Sequence, residues 1–262
     1  MIIVNADDFG QDSPINRAIL QCFREGLCSS TTLMATMPGF EEACDLVRQE
    51  NLTNHVGLHL VLRDGFPLTE PIRKMPAFCD SNGYLSALTI RSVLSLSGEE
   101  KRALAEEIRA QISRCRKFGV PLTHVDSHYH LHTNFAVAGV LVPVMIEQGL
   151  SRARISRNCG PGIGKTKRVY KNLFNAWLRR KGVAGTKYFG SVEDLLYSAS
   201  GNTLPIGPNE SVEIMLHPVF DDEGRIVDRD AHCSVGEIMK KLAHYDQAVS
   251  FAGCKYLFPG LG

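Results

Sequence analysis

The sequence lacks several features that would otherwise decide its class quickly. It has no excess of charge, since 29 Lys and Arg stand against 28 Asp and Glu for a formal net charge of +1. So even a balance provides no global field to draw the chain onto nucleic acid or an anionic membrane. It has no apolar run long enough to span a bilayer. Ile2-Ile3-Val4 is too short for the core of a secretory signal and runs directly into acids. It has no C-x-x-C pair: the eight cysteines are scattered, which speaks against a zinc or thiol-redox motif and for buried thiols in a reducing cytoplasm. Linkers rich in Pro, Gly and Ser, internal repeats and low-complexity tracts are missing as well.

What is present is the composition of an ordinary globular chain. Of its 262 residues 44% are hydrophobic and 22% charged, so disorder and fibrous architectures are excluded and one large α/β domain spanning 1–262 is the expectation. Short apolar runs predict strands over 2–5, 31–35, 56–62, 122–126, 153–156 and 212–217. Helical patterns fill the gaps. Ser97 with Glu100 forms a capping box ahead of a helix that runs to Phe118 and stops at Gly119; a second helix covers 136–148, before Gly149. The basic stretch 165–180 carries Val169, Leu173, Phe174 and Trp177 at helical spacing, so it reads as an amphipathic helix rather than a nucleic-acid patch. Gly160-Pro161-Gly162-Ile163-Gly164-Lys165-Thr166 lacks the first glycine of a phosphate-binding loop, because position 159 is Cys159. Residues 63–96, with Pro67, Pro71, Pro76 and Gly83, look like a long insertion or lid.

Alternating β and α elements imply a parallel sheet, open or closed into a barrel, with its chemistry at the C-terminal ends of the strands. The unusual polar residues fall there. Asp7 and Asp8 follow the first strand, His59 interrupts the third, His128 follows the fourth and His217 ends a late one. Contributions from so many strands suit a ring around one mouth.

Consecutive strand residues point to opposite sides, so Asp7 and Asp8 should have two roles, such as metal ligand and general base; the alternative is an Asx-turn before Gly10. His59 taken alone is more often a satisfied core histidine than a ligand, and its company alters that balance. The strongest local signal is His124, Asp126, His128, His130 and His132, which all share one parity and in a strand would share one face. Four imidazoles and a carboxylate on one face need hydrogen bonds or a metal; a solvated His-rich loop is the alternative. Spacing does not say which histidines bind, and the ligand types leave the ion open. Asp126 suits a second role, orienting a neighbouring imidazole. His217 ends an apolar strand where a catalytic acid would be useful, or serves as a structural histidine.

These segments resemble the YdjC-like carbohydrate deacetylases. Asn5-Ala6-Asp7-Asp8-Phe9-Gly10, Ser29-Ser30-Thr31-Thr32, Gly57-Leu58-His59, Thr123-His124-Val125-Asp126-Ser127-His128 and Leu216-His217-Pro218 look like that family's motifs in the family's order. The resemblance implies a single-domain, distorted (β/α) TIM-like barrel and a divalent metal ion held by Asp8, His59 and His128, with Mg or Zn favoured and Mn, Co or Ni as alternatives. It also implies Asp7 as general base, His217 as the acid that protonates the leaving amine, and Arg154, Arg157, His130 and His132 as substrate contacts. The partner would be an N-acetylated mono- or oligosaccharide, with no nucleic acid and no membrane; a homodimer is compatible with it. Two rivals remain: a glycoside hydrolase in which Asp126 supplies the second acid, and a metal-dependent sugar-binding protein without turnover.

Overall fold

In the computed structural model, which describes residues 1–86, 95–160, 162–197, 210–238 and 240, strands and helices alternate from the start. The order is β1 (Ile2–Phe9), α1 (Ser13–Arg24), β2 (Ser30–Leu33), α2 (Phe40–Gln49), β3 (Val56–Leu60), a one-turn α3 (Glu70–Arg73), α4 (Gly98–Lys117), β4 (Val125–Ser127) and a 3-10 turn (His128–Thr133). Then come α5 (Phe135–Glu147), α6 (Lys165–Arg180), β5 (Tyr188–Ser191), α7 (Val192–Tyr197), β6 (Val212–Leu216), β7 (Pro218–Phe220), β8 (Ile226–Asp228) and β9 (Cys233–Ser234).

Six strands form one parallel sheet in the order β4-β3-β2-β1-β6-β5. It curls into a half-barrel with helices outside, a distorted TIM-like arrangement as expected. β2 and β3 are buried along their whole length, as parallel strands covered on both faces must be. Between the sheet edges the chain at 152–154 makes single bridges, Val125 to Ala153 and Arg152 to Ala184. A separate antiparallel sheet, β7-β8-β9, stands beside the mouth. The helix signals are realised: Ser97 Oγ accepts from the Glu100 amide and Glu100 Oε2 from the Ser97 amide, and Asp12 caps α1 through the Ile15 amide.

Several expectations are corrected. β1 runs four residues beyond Asn5 and carries the whole Asp7-Asp8 motif. Residues 153–156 do not form a strand, because β4 has only three residues before its turn and the ladder stops after one bridge. The shared parity of the histidines ends at Ser127: Tyr129 and His130 take left-handed backbone (φ 56° and 55°) in the 3-10 turn, so 128–132 are not on one strand face. β5 and the β7–β9 sheet had no clear pattern in the sequence. On α6, Phe174 and Leu178 are buried, whereas Val169 and Leu173 face solvent. The 63–96 segment folds as a loop closed by bridges Gly65–Leu85 and Cys79–Leu85; its residues 87–94 lie outside the described residues. Cys22, Cys44, Cys79, Cys115 and Cys159 are buried free thiols, and among the described residues no helix is long and apolar enough to cross a membrane.

Two packing features at the base of the mouth yield measurable consequences. A Cβ added to Gly57 on β3 would lie 2.6–2.7 Å from three ring atoms of His124. Gly57→Ala should therefore cost about 1–3 kcal/mol by overpacking, read as a lower urea midpoint at unchanged slope; an unchanged midpoint would contradict this packing. Burial also pushes the His124 and His132 imidazoles down to about 4 each. Unfolded, both rings protonate near pH 6.5, whereas folded they resist protonation until about pH 4. Their contribution to stability is complete above pH 6.5 and is lost as pH falls through that window, so the urea midpoint should drop between pH 7.5 and 5. A flat profile would show that these rings are not buried as neutral groups.

Candidate metal and active site

The mouth is organised by a bulge in β1. Ala6 pairs with Thr31 and Phe9 with Leu33, so Asp7 and Asp8 together oppose the single residue Thr32. Asp8 sits at φ 70°, a left-handed conformation that Asp tolerates better than most residues. The extra residue breaks strand alternation, and both carboxylates turn toward the same histidine. Oxygens of Asp8, with nitrogens of His59 and His128, all lie within 4.8 Å of one another; so do those of Asp7, His59 and Asp126.

The second of these groups is already neutralised by protein. Arg154 is fully buried and clamps Asp7 through two bonds of 2.6 Å, reaches Asp126 at 2.8 Å and donates from Nε to Glu213 at 2.6 Å. Its guanidinium also stacks 4.7 Å from the Phe189 ring centre. Burial alone would raise Asp7 and Asp126, but Arg154 outweighs it and holds both carboxyls below their ordinary range. Asp126 is therefore an ionised acceptor, which assigns the proton of the facing imidazole: His59 Nδ1 donates to Asp126 Oδ1 at 2.7 Å and its Nε2 lone pair is directed away. Thr32 Oγ1 donates to the other Asp126 oxygen and accepts from Asn5, which also donates to Asp7. This is the carboxylate-imidazole pairing that fixes a metal-binding tautomer.

The first group has the properties of a cation site. His59 Nε2 and His128 Nδ1 approach Asp8 Oδ1 to 3.3 and 3.0 Å, yet neither aligns a hydrogen bond, and that buried oxygen has no donor among the described residues. Two imidazole nitrogens converging on one carboxylate oxygen without donating to it suit lone pairs gathered around a common ion. Burial would depress His59, but Asp126 and Asp8 push it up to about 10, so without an ion the ring holds a second proton, at the nitrogen whose lone pair a metal cation would take in its place. Asp8 is held well below the carboxylate range: burial raises it, and the two histidines more than reverse this. The residues present therefore fit a divalent ion.

A cavity of about 680 Å³ opens over this cluster, lined among others by Asp7, His59, His128, His130, His217, Arg229 and Asp230. His217, at the end of β6, points Nδ1 to Asp230 at 3.0 Å and Nε2 toward Asp7 at 3.9 Å. The turn after β8 supplies the partners: Asp228 caps it through the amides of Asp230 and Ala231, and Arg229 reaches Asp8 Oδ2 at 3.0 Å. His130 lines the cavity with its Nδ1 buried and without a partner among the described residues, and burial lowers its ring to about 3.

The structure thus brings Asp7, Asp8, His59, His128, Asp126 and His217 together, keeps His130 at the cavity wall and leaves Arg154, Arg157 and His132 out of that wall. Arg154 lies behind Asp7 with its nitrogens engaged by carboxylates, not at the cavity wall. Arg157 pairs with Asp194 outside the lining. His132 is buried, bonding Ser127 Oγ and the Arg154 carbonyl. Arg154, Arg157 and His132 thus bond to protein groups and do not line the cavity. Sequence reasoning missed Thr32, Glu213, Arg229 and Asp230. An acid inside the apolar run 212–217 was a usable signal for Glu213; Arg229 and Asp230 sit in a polar turn without any periodicity.

The family profile described as YdjC-like protein matches residues 1–249. A carbohydrate deacetylase of Geobacillus stearothermophilus is 31% identical over 224 residues, covering 84% of this chain and 80% of its own. One from Brevibacillus brevis is 37% identical over 146 residues, 56% of each chain. Among solved structures, an Enterococcus faecalis V583 protein described as acting in cellobiose-phosphate cleavage superposes with a TM-score of 0.69 at 23% identity, covering 93% of this chain and 94% of that one. The matched span contains every strand of the mouth and Asp8, His59 and His128 of the candidate metal group, and the chain belongs to the YdjC-like protein family.

Proposed function

We propose that the protein is a carbohydrate deacetylase that hydrolyses the amide of an N-acetylated sugar, with a divalent ion held by Asp8, His59 and His128. The observation that carries this reading is the convergence of His59 and His128 on the donorless Asp8 oxygen beneath a cavity that also receives an acid-base pair. The names of the relatives supply the substrate class. When bound, such an ion polarises an acyl carbonyl and loosens a proton of a bound water.

The chain's own groups complete the reaction. Arg154 keeps Asp7 ionised and fixed in orientation, so it is ready to accept the water's proton at neutral pH. Water adds to the carbonyl carbon, the C–N bond breaks, and acetate and a free amine result. An amine leaves only when protonated, and His217, braced by Asp230 and facing the same space as Asp7, donates that proton. The ligand set of two imidazoles and one carboxylate suits Zn²⁺ better than Mg²⁺ on ligand softness, and the buried thiols of Cys22, Cys44, Cys79, Cys115 and Cys159 favour a reducing, cytoplasmic site of action. The glycosidase rival loses its second acid, because Asp126 is fully buried behind His59 and Arg154.

The test is acetate release from N-acetylated mono- and oligosaccharides by protein stripped of metal and then resupplied with Zn, Mg, Mn, Co or Ni. Asp7→Asn and His217→Ala should each lower kcat by about 10²- to 10⁴-fold with metal still bound. His59→Ala and His128→Ala should lose the ion itself, read by elemental analysis. Full metal content in His128→Ala would remove that ligand from the assignment, and silence of the wild type with every ion and sugar would overturn the deacetylase reading.

A further inference from the structure

Six non-glycine residues among those described have left-handed backbone, and four of them belong to the mouth: Asp8, Asp64, Tyr129 and His130. Asp8 is accounted for by the cluster above, and His130 continues the same turn as Tyr129. Tyr129 and Asp64 are not accounted for by that cluster. A bulky aromatic in that region is strained, and such strain persists where the surroundings impose it for a purpose. Tyr129 also leaves 53% of its surface exposed, so burial does not reward it.

The side chains around it form a built wall. The Arg63 guanidinium stacks 4.3 Å from the Tyr129 ring centre, and Arg63 Nε lies 3.5 Å from the Asp64 carboxylate, which lines the same cavity as Tyr129. The ring of His128 sits 4.3 Å from that of Tyr129, which sets the wall directly beside a proposed metal ligand. The loop carrying Arg63 and Asp64 is anchored on both sides by α4. Gln111 brackets Val61 with bonds of 3.0 and 2.8 Å to its amide and carbonyl. Glu107, fully buried, accepts from the amides of Leu68 and Thr69 and from the Thr69 hydroxyl, and Gln111 donates to it in turn. An exposed aromatic rimmed by a guanidinium and a carboxylate, held rigid at a cavity mouth, matches the two-sided chemistry of a pyranose. Such a ring has an apolar C–H face and a rim of hydroxyls.

We propose that Tyr129, with Arg63 and Asp64, is the sugar-recognition wall of the site, Tyr129 taking the C–H face of the carbohydrate and the Arg63–Asp64 pair its hydroxyls. The identity of the ligand as a sugar rests on the deacetylase reading. Tyr129 is thereby a specificity residue and takes no part in the acyl chemistry.

Tyr129→Gly separates this role from a structural one, because glycine relaxes the left-handed backbone. The variant should keep its metal and a Tm at or above that of the wild type. It should raise KM for N-acetylglucosamine and its linear dimer about 3- to 10-fold, the range for loss of one aromatic contact, with kcat within about 2-fold. Saturation-transfer NMR with the same sugars should lose the pyranose C–H signals, and Asp64→Asn, which tolerates the backbone, should raise KM in the same direction. An active enzyme whose Tyr129→Gly variant keeps its KM overturns the wall while leaving the deacetylase reading intact. An inactive wild type that still transfers saturation to the sugar through Tyr129 overturns the deacetylase reading and supports the wall; absence of transfer to either sugar in the wild type overturns it.

Discussion

The mouth of this half-barrel depends on one buried cation. Arg154 ties Asp7 of β1, Asp126 of β4 and Glu213 of β6 to a single guanidinium. Stripping water from that many charges is costly, and only near-ideal geometry offsets it; here each guanidinium nitrogen meets a carboxylate at 2.6–2.8 Å. The arrangement still leaves three acids around one base. Burial raises Glu213, with Arg154 opposing, and His59 is driven upward by the same surplus of negative charge. The network therefore does two things at once: it ties three strands of the sheet together and leaves a negative field where Asp8, His59 and His128 meet.

From that network the order of the remaining parts follows. Asp126, kept ionised, dictates which His59 nitrogen carries the proton, and Thr32 and Asn5 fill the remaining lone pairs and donors. His132 and Ser127 close the floor beneath. The wall above is assembled from chain segments that the sheet does not control, namely the loop after β3, the 3-10 turn and the turn after β8. Rigidity there comes from buried side-chain anchors such as Glu107 and Asp228.

Much of this was legible in the sequence because long-range pairing and local pattern agreed. Apolar runs and caps located β1–β4, β6 and helices α4–α6 to within a few residues, and polar residues at strand ends marked the mouth. What escaped reading did so for physical reasons. The alternation rule separated Asp7 from Asp8, but a bulge is a property of two paired strands and leaves no mark in one of them. The parity of the histidines was real in the sequence and void in space, since two left-handed residues interrupt it. Arg154 and His132 carried the right chemistry for substrate contact, yet their partners come from residues such as Asp7, Glu213 and Ser127, and only tertiary structure brings these together. Arg229 and Asp230 contribute through a turn that no periodicity announces.

Position 8 illustrates how backbone and chemistry can restrict the same residue from two directions. Its left-handed conformation suits Gly, Asn and Asp, while its place between two imidazoles calls for an anionic oxygen. Only aspartate satisfies both lists. Glutamate keeps the charge and strains the bulge; asparagine keeps the bulge and forfeits the charge. A chain drifting through single substitutions therefore has no neutral neighbour at this site: each change at position 8 damages either shape or charge.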